Sequence, residues 1–326
     1  MVVGLLASWA PSAGAEPDPP IDRSGPALTV SEDKLDRALE CQASVATAQR
    51  DPVLLIPGTT LNPGVQFSWN WERALSALGW PRCTLALPDD GMADIQVAGE
   101  YVVHAIRAVH DLSGRTVDIV GHSQGGMVPR WALRFWPDTR TMVDDLVGLS
   151  PSNHGTVDAN AVCLPGCAPA FWQQRRGSDF LGALNSGQET FAGIDYSVVY
   201  TRLDEVVVPN LGPAASSKLS GGGGEITNVA VQEVCPLNVS EHLAVGTFDN
   251  TAYELAIDAL DHPGPADPSR VGSAPCRRLL MPGVNKLTFA LDFGRLLTHV
   301  ARVVATYPHV REEPALKCYA TAAGCP

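Results

Sequence analysis

The chain has 326 residues, 45% of them hydrophobic, enough to bury a full core as one large α/β domain or two small ones. Its 23 basic residues face 35 acidic ones, a net charge of -12. No Lys/Arg cluster is present to neutralise phosphates, which argues against a nucleic-acid partner.

In chain order, Val2 to Ala10 is a short apolar run, and Ala13-Gly14-Ala15 fits a small-residue cleavage site. Residues 1–15 therefore read as the remains of a secretory signal that lacks its basic start. Residues 16–32 follow as a Pro-rich leader, expected to be disordered from Glu16 to Pro26, and residues 33–326 as the folded domain. Nothing later is long and apolar enough to span a bilayer. Asp33 to Ala48 reads as a helix, Val53 to Ile56 as a strand ending at Pro57-Gly58, and Trp69 to Leu78 as a helix. Cys83 to Leu87 is the next strand, and Ile95 to Leu112 a long amphipathic helix. Thr116 to Val120 is a β-branched strand, Gln124 to Trp136 a helix, and Met142 to Leu149 a strand. This alternation predicts a mostly parallel sheet with helices on both faces. Ser152 to Gly177, rich in Pro, Cys and small residues, breaks the pattern and reads as a small cap or lid. Strands return at Tyr196 to Thr201 and Ile226 to Val231, on either side of the Gly221–Gly224 loop. Phe248 to Leu260 and the apolar Leu287 to Tyr307 are the last helices.

Between the Thr116–Val120 strand and the following helix lies Gly121-His122-Ser123-Gln124-Gly125. Strand, sharp turn and helix around G-x-S-x-G form the setting of a nucleophile elbow, which exposes the serine oxygen above the sheet. Serine needs a base to take its proton, and the base needs a carboxylate to fix its tautomer. In an α/β-hydrolase these follow in the order Ser, Asp or Glu, His, each after a strand. Asp204, after Tyr196–Thr201, and His242, after Ile226–Val231, fit that order. Glu205 is expected to project to a different side. His262 sits in a turn after a helix, His299 within the last helix and His309 beyond it, while His104 and His110 precede the serine. His122 leaves the elbow in another direction and is expected to line the pocket. Oxyanion donors are expected from the backbone of Gln124 and from Thr59 in the Pro57-Gly58-Thr59-Thr60 loop.

Eight cysteines, an even number, fit an oxidising compartment. Proximity favours Cys163–Cys167 and Cys318–Cys325; for the other four the expectation is Cys41–Cys83 and Cys235–Cys276, one of three pairings open to them. No cysteine or histidine set has zinc spacing, so no metal is expected. No cofactor is implied.

Val53-Leu54-Leu55-Ile56-Pro57-Gly58-Thr59, Trp69 to Pro88, Ser123-Gln124-Gly125-Gly126, Phe171-Trp172-Gln173-Gln174 and Asp204-Glu205-Val206-Val207-Val208-Pro209 occur in one order. In these segments the chain resembles the family of Candida antarctica lipase B and its bacterial relatives, from about Cys41 onward. The resemblance implies an α/β-hydrolase fold, His242 at the family's catalytic histidine, and Cys41–Cys83, Cys235–Cys276 and the last cysteine pair at family disulfides. Cys163 and Cys167 are extra. The family's best-known member has Thr-Trp where this chain has Gly121-His122, and that tryptophan walls the alcohol side of its pocket. Ser152 replaces the family's acyl-pocket aspartate, and Gln174 matches a second polar residue there, so substrate range does not carry over.

The expectation is thus a secreted, extracellular serine ester hydrolase of lipid-like esters such as triacylglycerols, working at a lipid–water interface as a monomer. Phe171, Trp172 and the last helix would supply a greasy wall. The rival readings are a polyester or cutin hydrolase, an acyltransferase with the same triad, and an inactive lipid-binding protein of the same fold.

Overall fold

The structure, a computed structural model, describes residues 18–325; the signal segment read in residues 1–15 lies outside them. Its centre is a seven-stranded sheet of Leu39–Cys41 (β1), Val53–Ile56 (β2), Arg82–Leu85 (β3), Val117–His122 (β4), Val143–Leu149 (β5), Asp195–Tyr200 (β6) and Glu225–Ala230 (β7). They lie in the order β1-β3-β2-β4-β5-β6-β7, and every pairing is parallel except β1 with β3.

The central strands are largely apolar, β2 without a break, because both faces of the sheet are covered. Alternate side chains divide between two cores. Leu54, Ile56, Ile119, Leu146 and Val198 pack beneath the helices Ile95–Ser113 and Gln124–Phe135. Val53, Leu55, Val120, Val147 and Val199 pack beneath Trp71–Leu78 and Asn250–Asp261 on the other face. The Ile95–Ser113 helix is bounded by local chemistry. Asp94 accepts from the Gln96 amide at its start, and Gly114, at φ 66°, ends it in the left-handed region.

Two expectations change. The helix expected over Asp33–Ala48 stops at Ala38, and the chain then forms β1 and a 3-10 turn over Ala43–Thr47. Cys41 lies opposite Cys83 in the β1–β3 register and is bonded to it, so the sheet captures a stretch too short to show period-two patterning. Nor is the leader disordered where it is described. The Arg134 guanidinium reaches the Pro20 carbonyl at 3.3 Å, and the Trp136 indole N–H donates to the Pro26 carbonyl at 2.8 Å. Buried Glu100 accepts from the Thr29 hydroxyl at 2.7 Å and the Val30 amide at 3.0 Å. Proline removes donors but leaves carbonyls, and side chains of the folded body satisfy them. Residues 19–30 form a strap.

The cap holds two short helices, Asp158–Val162 and Pro169–Gln173, with the Cys163–Cys167 disulfide between them. Cys167 and Val310 exchange backbone hydrogen bonds of 3.1 and 2.8 Å. That joins the cap to the chain just beyond the last helix, Phe289–Thr306. Disulfides also join Cys41 to Cys83, Cys235 to Cys276 and Cys318 to Cys325. Among the described residues no helix is long and apolar enough to cross a membrane.

Candidate active site

Ser123 stands at the turn between β4 and the Gln124–Phe135 helix with φ 55° and ψ -122°, a conformation rare for a residue with a Cβ. The turn needs its small neighbours. A Cβ on Gly121 would lie 2.0 Å from the Gly125 carbonyl oxygen, and one on Gly125 would lie 2.2 Å from that of Ile56. The Ser123 amide donates to Leu149 at 2.9 Å, which ties the elbow to the end of β5.

Asp204 and His242 come together from the loops after β6 and β7. His242 Nδ1 lies 3.0 Å from Asp204 Oδ2, and both residues are buried. The other Asp204 oxygen accepts from the amides of Val206 at 3.0 Å and Val207 at 2.7 Å. Burial alone would raise this carboxyl, but His242 and the two amides hold it below the usual aspartate range. Burial likewise opposes the charge on His242. The Asp204 carboxylate, followed by Glu205 and Glu241, outweighs it and lifts the imidazole above its ordinary value.

Ser123 and His242 line one cavity of about 320 Å³. Its polar end holds Thr59, His122, Ser152 and Gln174, and its apolar walls include Val162, Phe171, Val206, Val300 and Val304. The serine hydroxyl and the imidazole face this cavity without a direct hydrogen bond between them. Three hydrogen bonds cross the polar end. Ser152 Oγ donates to Gln174 Oε1 at 2.8 Å, Gln174 Nε2 to Thr59 Oγ1 at 3.0 Å, and Thr59 Oγ1 to Gln124 Oε1 at 2.8 Å. They link the cap, the loop after β2 and the elbow.

Trp172 does not line the cavity. Its indole N–H donates to the Val310 carbonyl at 3.1 Å, so it fastens the cap while Phe171 faces the pocket. The remaining histidines lie elsewhere: His104 pairs with Asp36 at 2.9 Å and His299 with Asp90 at 3.1 Å. Glu205 departs from expectation. It lines the cavity, and its Oε2 accepts the His242 amide at 3.3 Å. Gln66 was not visible as a site residue at all. Fully buried, it accepts from the Gly58 amide at 2.9 Å and donates to the Gly246 carbonyl at 3.4 Å. A glutamine four residues into a short helix carries no sequence signal for that bridge.

The sheet order, the strained serine turn and the aspartate–histidine pair beyond the strand ends define an α/β-hydrolase. The Lipase (class 2) family model matches residues 98–245. Lipase B of Pseudozyma antarctica is 33% identical over 305 residues, which cover 91% of this chain and 87% of that protein. The crystal structure of Aspergillus fumigatus lipase B aligns with a TM-score of 0.83 at 32% identity, covering 91% of this chain and 74% of that one. The Bacillus licheniformis lipase BlEst2 in its propeptide form, at 17% identity and TM-score 0.51, shares the fold. The chain belongs to the lipase B family and is a carboxylic ester hydrolase.

Proposed function

We propose that the protein is a secreted lipase that cleaves lipid-like esters through an acyl-enzyme formed on Ser123. Because His242 Nδ1 faces the Asp204 carboxylate, its proton sits there and Nε2 is free to act as base. Ser123 Oγ attacks the ester carbonyl carbon while Nε2 takes the hydroxyl proton. The tetrahedral oxyanion is held by the backbone amides of Thr59 and Gln124. As it collapses, the carbon–oxygen bond to the alcohol breaks and His242 returns the proton to the leaving alkoxide. Water then attacks the acyl-enzyme, again giving its proton to His242, and the acid leaves as Ser123 is reprotonated. Ser152 and Gln174 border the acyl side, and Phe171, Val300 and Val304 supply its apolar wall.

The observation that carries this reading is the shared, mainly apolar cavity in which Ser123 meets an imidazole oriented by Asp204. Four disulfides support an oxidising, extracellular destination. The test is hydrolysis of p-nitrophenyl esters from acetyl to stearoyl, and of emulsified triglyceride, beside Ser123→Ala. Activity that grows with chain length and emulsion, and that falls roughly a million-fold in kcat in the variant, is expected. Turnover limited to short soluble esters removes the lipid assignment, and an undiminished variant removes the mechanism.

A further inference from the structure

His122 lines the same cavity, yet it is only 1% exposed and packs under the base. Its ring lies 4.7 Å from that of His242, tilted by 46°. His122 Nε2 is 3.1 Å from the His242 carbonyl oxygen. A carbonyl can only accept, so Nε2 carries the proton and Nδ1 is left as a bare lone pair. That Nδ1 is buried without a partner. The ring has no spare room: a Cβ on Gly58 would come 2.9 Å from Nδ1, and one on Gly246 2.1 Å from the opposite edge. Gln66 bridges those two glycines, so the loop after β2, the elbow and the helix starting at His242 close around one imidazole.

We infer that His122 is a positioning residue, which sets the distance between nucleophile and base through its hydrogen bond to the His242 main chain. Residue 122 is covalently joined to Ser123, so this one bond spans the gap between the elbow and His242. Burial first, and the neighbouring His242 second, push His122 down to about 3. It therefore stays neutral and leaves the transferred proton a single home on His242. A nearly unexposed ring offers substrate little surface, so it acts on kcat and not on ester binding.

The inference rests on the proposed triad, and three variants assayed on p-nitrophenyl butyrate test it. His122→Phe keeps the ring but lacks the donor. His122→Asn is polar but too short to reach the carbonyl, and His122→Gln places an amide N–H near the Nε2 position. The expected result is a fall in kcat of roughly ten- to a hundredfold for Phe and Asn at unchanged KM, the range a small misplacement of reacting groups produces. Gln is expected to recover most of the loss. Should the Phe variant fail to fold by near-UV circular dichroism, the Gln–Asn contrast carries the comparison. Unchanged kcat in Asn, equal losses in Gln and Asn, or a change confined to KM and alcohol preference overturns it and makes His122 a pocket wall. Ser123→Ala and His242→Ala, run alongside, separate the two readings. If both abolish turnover while the His122 variants are indifferent, only the positioning role fails.

Discussion

Glu205 supplies part of the negative charge around the His242 imidazole. It accepts the His242 amide at 3.3 Å and is among the charges that hold the imidazole above its ordinary value. In the proposed mechanism His242 works as base only when unprotonated, so a raised value moves the acid limb of the pH–rate profile upward. Glu205→Gln removes one of these charges and keeps a hydrogen-bond acceptor. Its acid limb in kcat/KM is expected at lower pH than wild type; an unmoved or raised limb contradicts this. Asp204→Asn should cut kcat by about ten thousandfold at neutral pH, as loss of the orienting carboxylate does in serine proteases, measured on the same esters. Asp204 and His242, the proposed pair, stand out in the sequence because chain order and strand ends confine the choice. Glu205 and Gln66 do not, since each acts through a backbone group that only the folded loops bring near.

Elements built from continuous apolar runs, such as Val53–Ile56, were legible because a strand buried on both faces has no alternative pattern. Edge strand β1 and the short cap helices were not, since their placement depends on disulfides and on the distant Val310. Strand β5 hides another consequence. Asp145, near its start, is 5% exposed and has an oxygen without a partner. Burial first, then Asp118, raise its carboxyl to about 9. An aspartate that binds its proton more tightly when folded loses stability as pH rises from about 4 toward about 9. Asp145→Asn is therefore expected to raise the thermal midpoint at pH 8 by roughly 2 to 4 °C, with no gain at pH 4. Midpoints measured across that range, with equal gains at both ends, would show that charge is not the cause.

The four disulfides differ in weight. Cys41–Cys83 closes a separation of 42 residues, against 4 for Cys163–Cys167. On the chain-entropy account, replacing the first pair by serines costs about 4 kcal/mol and the second about 2 kcal/mol, readable by urea unfolding. Equal losses would mean that local strain or packing governs instead. The strap adds a tie of another kind. The Arg23 guanidinium donates to the Thr321 and Ala322 carbonyls at 2.8 and 2.7 Å, across nearly the full length of the chain. A polypeptide is made from one end, so Arg23 emerges from the ribosome long before either carbonyl exists. Translation sets the order of assembly: the Arg23 end of the strap must wait, undocked, until Thr321 and Ala322 are made.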